Sequence, residues 1–177
     1  MKSLTLFVHA MNKISDWTGR LAAWSFFAVG LFICYEVFMR YVLVMPTIWV
    51  NEVSRIIQVW GVFIAIAYVL RHRSHIVIDV AFRKEGTLGR KLTDTFALLV
   101  VIGTSLVIAT GGWDVWLRST LAGHTTDSSL AVPKVFTQSA LWVGFGLMAL
   151  QAVAEIIKVW TGIGADEADN NADLAAH

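Results

Sequence analysis

Apolar residues gather in four long stretches, at 21–44, 49–70, 92–116 and 135–159, separated by short polar connections. Each is roughly 20 residues or longer, the length at which an α-helix crosses a hydrocarbon core of about 30 Å. Pro46 falls between the first two stretches and Pro133 just ahead of the fourth, so no proline interrupts a stretch. Four continuous helices are then the simplest way to satisfy the backbone in lipid. The two-residue alternation of a membrane barrel is absent. Ahead of the first stretch, 3–15 reads SLTLFVHAMNKIS, with Leu4, Phe7, Val8, Met11 and Ile14 at three- and four-residue steps. This spacing predicts a short amphipathic helix lying along the membrane surface, its solvated side formed by Thr5, His9, Asn12 and Lys13. The fold expected is an all-α membrane protein of four transmembrane helices with this interfacial helix at its amino end.

Composition agrees. The 177 residues are 56% hydrophobic and 15% charged, whereas a soluble domain carries about a quarter charged residues. A net charge of +1 supplies no bulk basicity for nucleic acid, so no nucleic-acid partner is expected. The lone cysteine, Cys34, lies inside the first stretch, which excludes an internal disulfide and fits small apolar packing. The polar lead-in is long, the first stretch runs on into Glu36 and Arg40, and no small-residue cleavage site follows. A retained signal-anchor is therefore expected. Residues 1–163 read as a single four-helix membrane domain. The acidic 164–177, poor in bulky apolar residues, reads as a disordered tail.

Basic residues set the orientation. Lys2, Lys13 and Arg20 precede the first stretch; Arg71, Arg73, Arg83, Lys84, Arg90 and Lys91 lie between the second and third; Lys158 closes the fourth. The opposite side holds Arg118 and Lys134, with Arg40 and Arg55 in helix ends. The positive-inside rule then places both termini in the cytoplasm of a multi-pass bacterial inner-membrane protein, with its basic connection facing anionic membrane lipids. Trp17 and Trp160 fit the cytoplasmic aromatic belt, and Trp49, Trp113 and Trp116 the outer one. Trp24, Trp60 and Trp142 sit deeper and are expected to pack against helices or lipid.

Charges inside the stretches are the candidate functional residues. Glu36 and Arg40 are four apart on one helix, and Glu52 and Arg55 three apart on the next. The short linker brings all four towards the outer interface, and the acid precedes the base at the better spacing. One reading is an ion or substrate path, the default for intramembrane charge. The other is a self-neutralising clamp that fixes the hairpin or a partner helix. The clamp is preferred because pairing already offsets the cost of burial. At the cytoplasmic end, His75 and Asp79 stand four apart. A carboxylate–histidine pair is able to orient a metal ligand, but zinc needs two or three further ligands and only His72 is near, so a hydrogen bond bracing the helix end is expected instead.

No histidine lies inside a stretch, which disfavours haem held between helices. No serine–histidine–acid set, phosphate loop or HExxH motif is present, so no enzyme activity, cofactor or metal is expected. Gly103, Gly144 and Gly146 suit close helix contact. Continuous helices without a deep unpaired polar cluster offer no mid-membrane substrate site, which implies a partner subunit.

The motif Trp49-x-Asn51-Glu52 with Arg55, Trp60 and Gly61, preceded by Arg40 and followed by Arg71 and His75-Ile76-x-Ile78-Asp79, resembles the small membrane subunit, the DctQ or Q type, of tripartite ATP-independent periplasmic (TRAP) transporters. Asn51 stands where that family commonly has aspartate. The resemblance implies a non-catalytic scaffold packed on a large (M-type) membrane subunit, which carries substrate and sodium by an elevator-like motion. It also implies a periplasmic substrate-binding protein that delivers an organic acid of the C4-dicarboxylate or sialic acid class. On this reading Glu36, Arg40, Trp49, Asn51, Glu52 and Arg55 form the outer charge cluster and subunit contact, and Arg71, Arg73, His75 and Asp79 the cytoplasmic hinge. The outer loop, 117–132, is either a docking surface for the binding protein or a solvated connector. The alternatives are a membrane anchor for a redox enzyme complex and a stand-alone structural membrane protein.

Overall fold

A computed structural model describes residues 2–73, 88–126 and 131–161, without the side chains of Lys2, Arg73 and Arg90. Four helices make up the architecture: α1 (Lys2–Tyr41), α2 (Trp49–Arg73), α3 (Leu88–Leu121) and α4 (Val135–Thr161). Each is long and apolar enough to cross a membrane, giving the all-α four-span fold that the apolar runs imply.

The amino end departs from the expectation. Residues 3–15 do not form a separate interfacial helix; they are the first turns of α1, which runs unbroken for 40 residues, or about 60 Å. Nor does the expected division of faces hold. Leu4, Leu6 and Ile14 are exposed, while Asn12 is buried beside Val8 and Met11, with Ser15 and Thr18 continuing the face. The buried line is Val8, Ser15, Ala22, Val29 and Glu36, none more than 5% exposed, repeating every seven residues. A seven-residue repeat keeps one face of a helix against a neighbour as the pair supercoils. Small polar residues enter this seam because they let backbones approach, and apolar bulk gains nothing by avoiding lipid. Reading polarity as outward is therefore what fails here.

The same repeat recurs on α3, where Leu98, Ser105, Gly112 and Ser119 form the buried line. The helices pack in the order α1, α2, α4, α3, with α1 also reaching α4, and α3 packs on neither α1 nor α2 among the described residues. Helix α4 is the centre. Gly144 and Gln151 are buried on one side of it and Ala149 on the other, as a helix with neighbours on several sides requires.

Glycines mark each interface. The ring of Tyr68 lies on Gly19, and that of Phe26 on Gly61, joining α1 to α2 antiparallel. Leu141 lies on Gly112, joining α3 to α4. At Gly144 the α2 backbone itself is the neighbour: an added Cβ would stand 2.6 Å from the Phe63 carbonyl oxygen. Close beside it, the rings of Phe63 and Phe145 meet at 6.0 Å. Nearer the amino end of α4, the Trp60 indole N–H donates to the Phe136 carbonyl at 2.7 Å, a second link between α2 and α4. Trp113, Trp116 and Trp142 form one aromatic cluster, with Trp142 edge-on to both α3 rings at 5.1 and 5.9 Å. Of the three glycines singled out for close contact, only Gly144 makes one; Gly103 and Gly146 have nothing within 4 Å.

The outer connection also differs from its expected extent, because helix α3 continues through 117–121. It ends where Gly123 takes φ +65°; Gly123 N–H donates to Thr120 O at 3.2 Å and His124 N–H to Ser119 O at 3.0 Å. This is the Schellman arrangement, which suits glycine at the left-handed position. The chain then folds back, with Thr126 N–H donating to Val132 O and Lys134 N–H to His124 O at 2.8 and 3.0 Å.

Replacing Gly144 with alanine forces a Cβ onto backbone that no side-chain rotation relieves. Gly144→Ala is expected to lower stability by about 1–3 kcal/mol, the usual scale of overpacking. Gly103→Ala, which meets open space, should be near neutral. Thermal unfolding in mild detergent checks both, and equal midpoints for the two variants would remove Gly144 as the α2–α4 contact point.

Candidate functional site

The turn that joins α1 to α2 is built around Glu36. This carboxylate occupies the last position of the seven-residue seam on α1 and is 5% exposed. Its Oε1 accepts from Arg40 Nη2 at 2.7 Å and Nε at 3.2 Å. Its Oε2 accepts from the backbone N–H of Thr47 at 3.1 Å and from the Thr47 hydroxyl. Thr47 lies two residues ahead of α2, so a single carboxylate ties the end of one helix to the entry of the next. Trp49, the first residue of α2, closes the joint by packing edge-on to Phe32 at 6.1 Å and beside Tyr35 at 6.3 Å. Between them the chain turns through Val44, which adopts φ +55°, a left-handed conformation that β-branched residues rarely accept. Met45 N–H donates across that turn to Met39 O at 3.0 Å.

The four charges predicted to meet therefore divide. Glu36 and Arg40 form the ion pair, with Arg40 half-exposed. Glu52 is half-buried on α2, whereas Asn51 and Arg55 are exposed. Arg55 pairs with neither acid among the described residues. The hydrogen-bond partner of Glu36 that sequence reasoning missed is Thr47. Its only signal is its place in the linker, since the spacing that reveals partners along one helix does not reach across a turn.

The opposite end of the bundle, where α2 and α4 finish, carries two further clusters. Arg71 of α2 pairs with Asp16 of α1 at 2.5 Å and donates to the Asn12 carbonyl at 2.8 Å. Arg71, the first residue of the expected hinge, thus clamps α2 to the early turns of α1. The ring of His72 stacks on Tyr68 at 4.0 Å, with Nδ1 3.0 Å from the Tyr68 carbonyl, a helix-end contact. On α4, Glu155 Oε1 accepts from Gln151 Nε2 at 2.8 Å and from Lys158 Nζ at 2.7 Å, with Gln151 and Glu155 buried. Of these three, the sequence pattern marks only Lys158, as a topology charge; Glu155 is the one it misses. Its spacing to both, four and three residues, was the available signal. His75, Asp79 and the side chain of Arg73 lie outside the described residues. No metal-holding group of histidine, cysteine and carboxylate residues occurs among the described residues.

Because Glu36 bonds to two segments and Arg40 to one, removing them should differ in effect. Glu36→Gln is expected to lower the unfolding midpoint in detergent more than Arg40→Ala, with Thr47→Val between them. The opposite order, with Arg40→Ala the most damaging, would place the stabilising contact outside the Glu36–Thr47 link. A separate expectation concerns the inner clamp: Arg71→Ala leaves the part-exposed Asp16 without this partner and should cost up to about 1 kcal/mol, read from the same unfolding experiment.

Comparison with curated proteins gives no match. Comparison with known families does: residues 29–162, from the middle of α1 to just past α4, match the family described as tripartite ATP-independent periplasmic transporters, DctQ component. The match covers well over half of the chain and takes in the Glu36 joint, α2, α3 and α4. The chain belongs to the DctQ family, the small membrane component of TRAP transporters.

Proposed function

We propose that this four-helix subunit is a non-catalytic scaffold for a large, M-type membrane subunit, and that the pair takes up an organic acid delivered by a periplasmic binding protein. The observation that carries the scaffold role is the use made of the buried charges. Glu36, Arg71 and Glu155 each bond to groups of the same chain: Thr47 and Arg40, Asp16, and Gln151 and Lys158. Charges held this way brace helices against one another, and a fixed brace suits a frame on which another subunit moves. The family supports the transport setting. The C4-dicarboxylate or sialic acid class, sodium coupling and the two partners come with the family resemblance and belong to those partners' chemistry.

The proposed orientation has both termini in the cytoplasm and the Glu36 joint at the periplasmic face. It follows from the basic residues between α2 and α3 together with Lys13, Arg20 and Lys158. The outer charge cluster and the cytoplasmic hinge then serve registry, the first at the partner-facing outer end and the second at the headgroups. Residues 164–177 are taken as a cytoplasmic tail outside the four-helix domain.

Affinity purification of the chain in mild detergent, with mass identification of what accompanies it, tests this reading. A large many-span membrane protein is expected. A redox protein, or no membrane partner, would overturn it. Glu52→Gln adds a sharper measurement: recovery of the partner should fall while the sodium dependence of uptake by the complex that remains is unchanged. A shifted ion dependence with normal recovery would favour an ion path instead.

A further inference from the structure

The exposed side of α2 has a pattern that lipid does not suit. Asn51, Arg55, Gln58, Val62 and Val69 are all exposed and recur at steps of four, three, four and seven residues, which places them on one stripe of the helix. A stripe about a quarter-turn round the helix, including Val50, Ser54, Gly61 and Ile64, is buried within the bundle. The outer half of the exposed stripe is polar, and its inner half is apolar.

Depth makes the polar half informative. Helix α2 has 25 residues from Trp49, and Gln58 lies about 14 Å along it, near the middle of a hydrocarbon core of about 30 Å. Arg55 is long enough to extend its guanidinium towards the outer headgroups. The amide of Gln58 is too short to do so, and in lipid its donors and acceptor would go unanswered. Arg55 and Gln58 share the stripe, and Glu36 is already occupied by Arg40 and Thr47. Arg55 makes no ion pair with a described residue.

Below Gln58 the stripe opens into a groove between α2 and α4, about 260 Å³ in volume, lined by Ala65, Ile66, Val69, Leu70 and Met148. The lining is apolar, and its concavity comes from the short Ala65 side chain beside longer neighbours. Among the described residues, helix α3 docks on α4 and not on α2, and Val69 is exposed.

We infer that a transmembrane helix of the large membrane subunit seats along this stripe, with a carboxylate opposite Arg55 and bulky apolar side chains in the Ala65–Met148 groove. The inference rests on the subunit reading above and names the chemistry of the contact. A carboxylate is the partner that answers a planar guanidinium with two parallel hydrogen bonds, and such a pair gains strength away from water. Gln58 is placed to bond the same helix about one turn deeper. A lipid would supply phosphate only at the surface and nothing for Gln58.

The test uses the intact complex in bacterial membranes, with a benzophenone amino acid placed singly at Gln58, Val69, Trp24 or Phe96. Trp24 and Phe96 are each 70% exposed on α1 and α3 and report on other faces. Adducts with the large subunit at positions 58 and 69, and not at 24 or 96, are the expected result. Protein adducts confined to 24 or 96 overturn the α2 docking face while leaving the subunit reading intact. Absence of a protein adduct at every position overturns both. For the carboxylate, Arg55→Glu should reduce recovery of the large subunit roughly tenfold or more, the scale of juxtaposing like charges at a buried contact. Arg55→Met, which leaves the helix apolar, should also lose recovery, and Arg55→Lys should fall between it and the wild type. Wild-type recovery with Arg55→Glu would overturn the carboxylate assignment, and normal helical content of the purified variants excludes misfolding as the cause of a loss.

Discussion

Hydrocarbon offers no water to complete a hydrogen bond, so a polar side chain carried into a membrane is stable only where another group of the protein meets it. Glu36 shows how much of a structure hangs on that requirement. It needs several donors, and α1 alone supplies only Arg40. The rest come from Thr47, across the turn. Satisfying one carboxylate therefore fixes where α2 begins, and Trp49 packs against Phe32 and Tyr35 as a consequence. From that joint inward, α1 and α2 stay in register to the Asp16–Arg71 pair at the far end.

Between these two polar ends the helices are held by shape. Lipid tails are as apolar as leucine, so burying a leucine between two membrane helices gains little from water. Close backbone approach gains more, through dispersion contacts over a long seam. The residues at the contacts are accordingly small: Ser15 and Ala22 on α1, Gly144 on α4, Ser105 and Gly112 on α3. Bulky aromatics instead fill the spaces left opposite glycines, as Tyr68 does at Gly19, or collect in clusters such as that of Trp113, Trp116 and Trp142. The larger apolar residues, among them Leu6, Trp24, Phe96 and Val107, face outward.

An inside built from small and polar residues and an outside built from bulky ones suit a frame. Interior charges are paired within the chain, α4 links three helices at once, and the exposed polar residues in the first half of α2, Asn51, Arg55 and Gln58, form a single stripe. A subunit of this kind holds its shape while presenting one chemically distinct face to a neighbour. That combination gives physical content to the role of a small membrane component beside a moving transport subunit.

The sequence by itself determined the number of helices, their places in the chain and the membrane as their solvent. Length and continuous apolarity are properties of one segment at a time, and lipid enforces helix on such segments regardless of what surrounds them. It also carried the family, through Arg40, the Trp49–Arg55 motif and Gly61, and the pairing of Glu36 with Arg40 along one helix. Tertiary structure alone decided the rest. Asn12 went inward and Ile14 outward, against the expected faces, because in lipid the seam selects small side chains and not apolar ones. Thr47 became the donor to Glu36, Arg71 took Asp16 as a partner, and Arg55 was left facing out. Each of those choices depends on which helix stands beside which. That is a matter of backbone approach across tens of residues, and no local pattern in the chain encodes it.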